Sequence, residues 1–282
     1  MNGLLIINKP KGYTSHDVVN VLRKKLNTKK VGHTGTLDPN ATGVLPILVG
    51  TATKISKYLV EHEKTYIATI ELGKKTDTGD IEGKIIEESN LRNIEKNEVE
   101  EAIKSFFGKQ IQIPPMYSSI KVNGKKLYEY AREGKTVEVK PREIEILDIN
   151  LIEYENNEIK FNVRCSKGTY IRTLCEDIAK KLRTIGYMKE LQRISVNEFN
   201  IENSILLEEL ENINIVEKII SIEEIFKDKS RIDLNNRKLE LFLNGVQLTH
   251  ELQEDIYRIY NNNNFIGLGI VKNKLLKRDI VI

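Results

Sequence analysis

Apolar positions recur along the chain in two rhythms, one of strands and one of helices. Leu4-Leu5-Ile6-Ile7 is an unbroken apolar run of strand length, and Lys9 to Ser15 reads as a loop whose Thr14 or Ser15 caps a helix through Leu26. Gly43 to Val49 is extended, and the alternation of Tyr66, Ala68, Ile70 and Leu72 predicts a strand over Thr65 to Leu72 with Tyr66 on its apolar face. The cluster Thr76-Asp77-Thr78-Gly79-Asp80 then turns the chain. Val99, Ala102, Ile103 and Phe106 recur at helical spacing, with Gly108 just past the end. A further strand runs from about Glu158 to Cys165. The turn Ser166-Lys167-Gly168-Thr169 leads into a helix that buries Ile171, Leu174, Cys175, Ile178 and Leu182. Arg172 stands one residue off that stripe, at a helix start beside a glycine turn, and can face a cleft. After Leu191 the pattern predicts short helices, among them Ser221-Ile222-Glu223-Glu224 with its capping-box form. From about Arg231 the character becomes β: Leu243-Asn244-Gly245-Val246 turns into strands, and Ile256 to Tyr260 and Phe265 to Val271 flank the asparagines 261 to 264. The expected organisation is an α/β unit over 1–227 and a small β-rich unit over 228–282.

Length and composition narrow the class. A chain of 282 residues, 40% of them hydrophobic, can bury a substantial core. No apolar run approaches the roughly 20 residues needed to cross a bilayer, and Met1-Asn2-Gly3-Leu4 leads straight into a strand, so a cytoplasmic protein with no membrane partner is expected. Cys165 and Cys175 fall on a predicted strand and a predicted helix face, where buried free thiols are expected. His16, His33, His62 and His250 lack ligand spacing, so neither metal nor cofactor is called for. The net charge of +3 is mild, but its distribution is uneven. Lys9, Lys11, Arg23, Lys24, Lys25, Lys29 and Lys30 crowd the N-terminal region, whereas acids dominate Glu87 to Glu101 and Glu208 to Glu224. That suits a polyanion partner, or equally a solvated lysine-rich face.

The candidate chemistry lies in Gly32-His33-Thr34-Gly35-Thr36-Leu37-Asp38-Pro39-Asn40-Ala41-Thr42-Gly43, which sets one carboxylate among three glycines and a proline. Pro39 disfavours the helical basin for Asp38, and the glycines let the backbone turn tightly and come close to something bound. Asp-Pro also begins ordinary turns and helices, so this stretch alone leaves both readings open.

The same stretch closely resembles the catalytic motif of the TruB family of tRNA pseudouridine synthases. Further segments resemble the family's motifs in order: Leu4-Leu5-Ile6-Ile7-Asn8-Lys9-Pro10-Lys11-Gly12-Tyr13-Thr14-Ser15, Lys64-Thr65-Tyr66, Ile113-Pro114-Pro115-Met116-Tyr117-Ser118-Ser119, and Cys165-Ser166-Lys167-Gly168-Thr169-Tyr170-Ile171-Arg172-Thr173-Leu174. The anchors run to about Leu191. The resemblance implies a mixed, largely antiparallel pseudouridine-synthase sheet with flanking helices over 1–227, and a PUA-like RNA-binding domain over 228–282. It also implies isomerisation of the uridine at the position conventionally numbered 55 in the T loop of tRNA. A guide-RNA-dependent relative shares that chemistry, and the short tail favours a stand-alone enzyme acting as a monomer on the T-arm stem-loop.

By the same resemblance Asp38 is the nucleophile, which can attack C6 of the base or act at the sugar C1′. Arg172 is the active-site arginine, able to oppose the desolvation of a covered carboxylate through a two-point pair. Tyr66 is the active-site tyrosine, stacking on the base and relaying the C5 proton. His33 enters the RNA loop in place of flipped bases. Tyr170 and Leu191 wall the pocket, and Lys9 and Pro10 support the catalytic loop or contact a phosphate. The alternative from a different class is a noncatalytic RNA-binding or tRNA-folding chaperone of the same fold.

Overall fold

The computed structural model, which describes residues 1–60 and 62–282, centres on a ten-stranded sheet. Its strands in chain order are β1 (Gly3–Lys9), β2 (Val31–His33), β3 (Thr42–Val49), β4 (Lys64–Leu72), β5 (Gly108–Gln112), β6 (Arg142–Glu155), β7 (Glu158–Cys165), β8 (Gly186–Val196), β9 (Phe199–Asn200) and β10 (Ile205–Leu206). They lie in the order β10-β1-β3-β8-β4-β7-β6-β5, with β2 on β3 and β9 on β8. The β1–β10 and β3–β8 pairs are parallel and the other pairs antiparallel, so the sheet is mixed and largely antiparallel, as expected.

Helices cover this sheet in two places. In α1 (Ser15–Lys25) the cap is Thr14: its hydroxyl accepts from the Asp17 amide, while the Asp17 carboxylate accepts from the Thr14 amide. Val18, Val19 and Leu22 of α1 then pack on Leu5, Ile7, Leu45 and Ile47. The other half is covered by α2 (Lys96–Lys104) and α3 (Ile171–Lys181). Val99 and Ile103 of α2, with Ile171, Leu174, Cys175 and Ile178 of α3, share a core with Ala68, Ile70, Ile146, Ile159, Phe161 and Val163. Each large aliphatic side chain so buried contributes about 1.5–3 kcal/mol by desolvation.

A second sheet closes the chain: β11 (Arg231–Asp233), β12 (Leu248–Thr249), β13 (Asp255–Asn261), β14 (Asn264–Lys272) and β15 (Leu275–Val281), in the order β11-β13-β14-β15-β12. It carries one helix, α4 (Asn236–Leu243), which the sequence pattern did not suggest, and its form fits a PUA-like fold. Asn262 and Asn263 take positive φ (48° and 63°) at the β13–β14 hairpin turn, a conformation asparagine tolerates. Leu268 and Ile280 reach across to a core shared with Leu4, Ile6, Val44 and Leu48 of the large sheet. Asp279 accepts a hydrogen bond from Tyr58 and pairs with Lys57 at the same junction.

Three expectations differ from the structure. The chain past Leu191 is strand before it is helix: β8 continues to Val196, and β9, β10 and short 3-10 turns follow before the helical turn Ile222–Ile225. There Ser221 accepts from the Glu224 amide, but the Glu224 carboxylate pairs with Lys227, so half of the capping box forms. The third concerns the glycines. Gly43 approaches the chain itself: with φ at +101°, a Cβ would lie 2.2 Å from the Arg193 carbonyl oxygen of the parallel strand β8.

Gly43→Ala is therefore expected to destabilise the protein by more than the roughly 1–3 kcal/mol of left-handed strain alone, because β3 and β8 must also part. Chemical denaturation of the variant measures this; unchanged stability would mean the strands do not approach so closely.

Candidate active site

The loop between β2 and β3 carries Asp38 to the floor of a cleft of about 1200 Å³ that opens over the middle of the large sheet. Backbone ties hold this loop on both sides of the acid. The Ser15 hydroxyl accepts from the Leu37 amide at 2.9 Å and donates to the Leu37 carbonyl at 3.2 Å. The Pro39 carbonyl accepts from the Gly12 amide (2.9 Å) and from Lys9 Nζ (2.9 Å). Arg193 Nη2 donates to the Gly35 carbonyl at 3.1 Å. With residues 37 and 39 so fixed, Asp38 has little freedom beyond its own side-chain rotation.

Arg172 lies beneath Asp38 in the first turn of α3, with its Nε 3.2 Å from Asp38 Oδ2. The arginine side chain is 8% exposed and the aspartate 36%, so the cation lies under the carboxylate, which faces the cleft. Sequence reasoning anticipated a two-point pair. The contact shown is through Nε, and the other guanidinium nitrogens bind elsewhere: Nη1 to the Thr78 carbonyl at 3.2 Å and Asp80 Oδ2 at 3.5 Å, Nη2 to the Tyr117 carbonyl at 2.7 Å. These acceptors offset the unfavourable place of a cation at a helix N-terminus. The helix start is itself fixed by Gln112, whose side-chain amide both accepts from the Tyr170 amide and donates to its carbonyl. Burial pushes the Asp38 carboxyl above the ordinary aspartate range; Arg172 opposes this, Asp80 adds to it, and Lys9 also opposes it. Glu82, on the cleft rim, is raised by burial and by the negative charges of Asp80 and Asp38.

Tyr66 lies across from Arg172 in the cleft wall, at the start of β4, with its ring in the core and one edge toward the opening. Its register partner on β8 is Arg193 and, on β7, Val163. Burial lifts the phenol above its usual range, and the Arg193 guanidinium pulls it back by charge and by hydrogen bonding. Leu191, two residues earlier on β8, and Tyr170, at the N-cap of α3, line the same cleft. His33 ends β2 at the cleft edge, where burial, then Arg193 and His16, favour its neutral form.

Lys9 and Pro10 sit behind the loop. Lys9 is buried, and its ammonium donates to the carbonyls of Pro10 (3.0 Å), Tyr13 (2.6 Å) and Pro39 (2.9 Å). All three hydrogens are thereby used, which removes Lys9 from the basic surface the sequence suggested and leaves none for a phosphate. Burial lowers its pKa to about 8, with the Asp38 charge opposing.

Three cleft residues escaped sequence reasoning. Asp80 read as part of a turn, and the Asp-rich Thr76 to Asp80 spacing was its only signal. Arg193 was hidden because β8 was not recognised as a strand; an arginine between apolar positions of a strand would have marked it. Ser118 lines the cleft with its hydroxyl buried and without a partner among the described residues. Among the described residues no group of His, Cys, Asp or Glu is placed to hold a metal ion, and no helix is long and apolar enough to cross a membrane. Cys165 and Cys175 are buried free thiols.

The chain has relatives among known proteins. Residues 23–171 match the N-terminal domain of the TruB family of pseudouridylate synthases, and residues 172–227 match the tRNA pseudouridylate synthase B C-terminal domain. The chain is 45% identical to tRNA pseudouridine synthase B of Clostridium novyi, with 98% of each chain covered. It is 42% identical to the protein of that name from Francisella tularensis subsp. novicida, over 100% of this chain and 97% of the relative. Among solved structures, a Cbf5-Nop10-Gar1 complex matches with a TM-score of 0.71 at 24% identity, covering 99% of this chain and 83% of that one. An H/ACA RNP bound to a substrate RNA containing 2′-deoxyuridine matches with a TM-score of 0.71 at 23% identity, covering 99% and 85%. At such identities the two structures speak for the fold alone. Full-length identity to the curated relatives, joined to the matches over 23–227, shows that the chain belongs to the TruB family of tRNA pseudouridine synthases, which are isomerases.

Proposed function

We propose that this enzyme converts the uridine at position 55 of the tRNA T loop to pseudouridine, with Asp38 as the nucleophile. The observation that carries the reading is the Asp38–Arg172 pair, 3.2 Å apart at the floor of an open cleft with Tyr66 in its wall. Isomerisation breaks the bond from N1 to the sugar, turns the base, and joins C5 to C1′. A carboxylate starts this by attacking C6 or by acting at C1′, and in either case it must be ionised while RNA covers it. Arg172 supplies the compensating charge, and Asp80 fixes Arg172 without competing for its Nε. Tyr66 stacks on the uracil and takes part in moving the C5 proton.

A uridine stacked in a folded loop cannot reach Asp38, so it must be extruded. His33, at the cleft edge and favoured neutral, offers a flat face to the bases that remain. Tyr170 and Leu191 close the pocket around the flipped base, while Lys9 and Pro10 act as struts of the Asp38 loop. The unit 228–282 extends RNA contact beyond the T arm, and the enzyme works as a monomer.

Asp38→Asn is expected to retain the fold and most RNA affinity while abolishing turnover, because an amide is neutral and a poor nucleophile. Pseudouridine mapping on a T-arm stem-loop reads this, and product at the wild-type rate would refute the role of Asp38. Arg172→Lys is expected to slow turnover strongly, since one ammonium cannot serve Asp38, Asp80 and two carbonyls at once.

The pH dependence follows from the Asp38 environment. Turnover should fall as pH drops through the Asp38 pKa, which burial sets above the ordinary value. Arg172 lowers that pKa, so its removal raises it, and Arg172→Gln should move the acid limb of the single-turnover profile to higher pH. A limb that stays in place would mean that the pair does not govern Asp38 ionisation.

A further inference from the structure

Arg193 is a buried charge without a counterion. Its side chain is at the centre of the large sheet, the residue is 1% exposed, and among the described residues it forms no ion pair with a carboxylate. Nε donates to the Val44 carbonyl at 2.7 Å and Nη2 to the Gly35 carbonyl at 3.1 Å. Two lysines, Lys64 and Lys9, lie near enough for its charge to lower their pKa values, and it likewise opposes protonation of His33. A buried cation in cationic company is destabilising unless something anionic forms beside it. Tether roles alone do not need the charge, since a neutral donor could serve two carbonyls.

The titratable side chain directly across the sheet from Arg193 is Tyr66. The two residues are register partners across β4 and β8, and both line the cleft. We propose that Arg193 is a positioning residue for Tyr66, holding the phenol oxygen by hydrogen bond and stabilising the phenolate that accepts the C5 proton. The inference rests on the reading of Tyr66 given above.

Once C5 is joined to the sugar, it carries both the sugar and a hydrogen. The C5–H bond breaks, its electron pair returns to the uracil ring, and the proton passes to the Tyr66 oxygen. The proton that Tyr66 gave up on becoming phenolate goes to N1, the nitrogen the sugar has left. Tyr66 thus ends as a phenol, and no co-reactant is consumed. The obstacle is the phenolate itself, because burial favours the neutral phenol. Cys165 on β7 and Asp38 on its loop also disfavour the anion, and of the neighbours named Arg193 alone favours it. A guanidinium fixed by two carbonyls keeps its full charge for that purpose, whereas a carboxylate-paired one would not.

The test is a double-mutant cycle with Tyr66→Phe, read by single-turnover rate and by affinity for a T-arm stem-loop. Arg193→Gln is expected to slow the chemical step by about 10-fold or more in the tyrosine background, with RNA affinity changed by less than about 2-fold. In the Tyr66→Phe background it should slow the step by less than about 2-fold, since the hydroxyl it serves is gone. Arg193→Lys should restore part of the rate in the tyrosine background only. If Arg193→Gln fails to fold, Arg193→Lys carries the same comparison, with a loss expected in the tyrosine background and none in the phenylalanine one. Equal losses in both backgrounds would overturn the proposal in favour of a purely structural role. Weakened RNA binding with an unchanged rate would overturn it in favour of a phosphate contact. A second readout does not depend on turnover: with [13C]-tyrosine labelling and Tyr66 assigned by its absence in Tyr66→Phe, Arg193→Gln should move the Tyr66 titration to higher pH, and an unmoved titration would overturn the proposal. Wild-type turnover by Tyr66→Phe alone would instead sink the reading of Tyr66 itself, a separate failure.

Discussion

The site depends on keeping one carboxylate charged where its surroundings oppose charge. Asp38 lies on the floor of a cleft that RNA would cover, and burial already lifts its carboxyl above the ordinary range. Arg172 is the counterweight, and much of the nearby structure serves to keep it in place. A guanidinium in the first turn of a helix faces the wrong end of the helix dipole. It stays because Asp80 and the carbonyls of Thr78 and Tyr117 bind its remaining nitrogens, and because Gln112 clamps the backbone at Tyr170 just before it. Asp80 holds Arg172 but also adds negative charge near Asp38. One guanidinium meets both carboxylates, at 3.2 Å from Asp38 and 3.5 Å from Asp80, so the charge that steadies Arg172 is itself partly neutralised by it.

The Asp38 loop is held by buried cations bound to carbonyl oxygens. Lys9 ties Pro39, and Arg193 ties Gly35. Carboxylate struts would fix the same backbone, but each would add a negative charge beside Asp38 and raise its pKa further. Carbonyl oxygens satisfy the donors while leaving the positive charge intact. The loop therefore gains rigidity from both side chains, and Asp38 gains a favourable charge from Lys9. Ser15 completes the hold at Leu37 with a neutral hydroxyl that both donates and accepts.

Much of this was legible in sequence where the signal was local. The run Leu4 to Ile7, the Tyr66 alternation and the Ile171 to Leu182 stripe all became the elements expected: β1 is buried on both faces, Leu4 and Ile6 in one core and Leu5 and Ile7 in another, while β4 and α3 bury their apolar faces. Arg172, one residue off the stripe, did reach the cleft. The 14-residue strand β6 was missed: its Glu and Asp positions on the exposed face masked the buried Ile144, Ile146 and Ile149. The strand β8 was missed for a similar reason, since Lys189, Glu190, Gln192 and Arg193 break its apolar alternation. That miss hid Arg193. The Gly43 approach to β8 was equally invisible, because it depends on a parallel pairing between segments far apart in the chain. Periodicity shows which face of an element is buried, but not which other element will lie beside it.

Sheet order accounts for why the cleft residues meet. β8 lies between β3 and β4, so the loop entering β3 and the first residues of β4 flank one end of the same strand. Asp38 comes from the first, Tyr66 from the second, and Leu191 and Arg193 from β8 itself. α3 precedes β8 and packs against the same core, which brings Arg172 up from below. Charge in the resulting cleft is uneven: Asp38, Asp80 and Glu82 cluster around Arg172, while the Arg193 guanidinium acts on Tyr66. On the first side Arg172 opposes the rise that burial and Asp80 impose on Asp38, which keeps its carboxylate able to attack as an anion. On the other, the positive charge of Arg193 suits a phenol that must pass through its anion. A single neutral environment could not serve both groups, and β8, the strand between β3 and β4, supplies the cation that opposes the Asp38 charge at Tyr66.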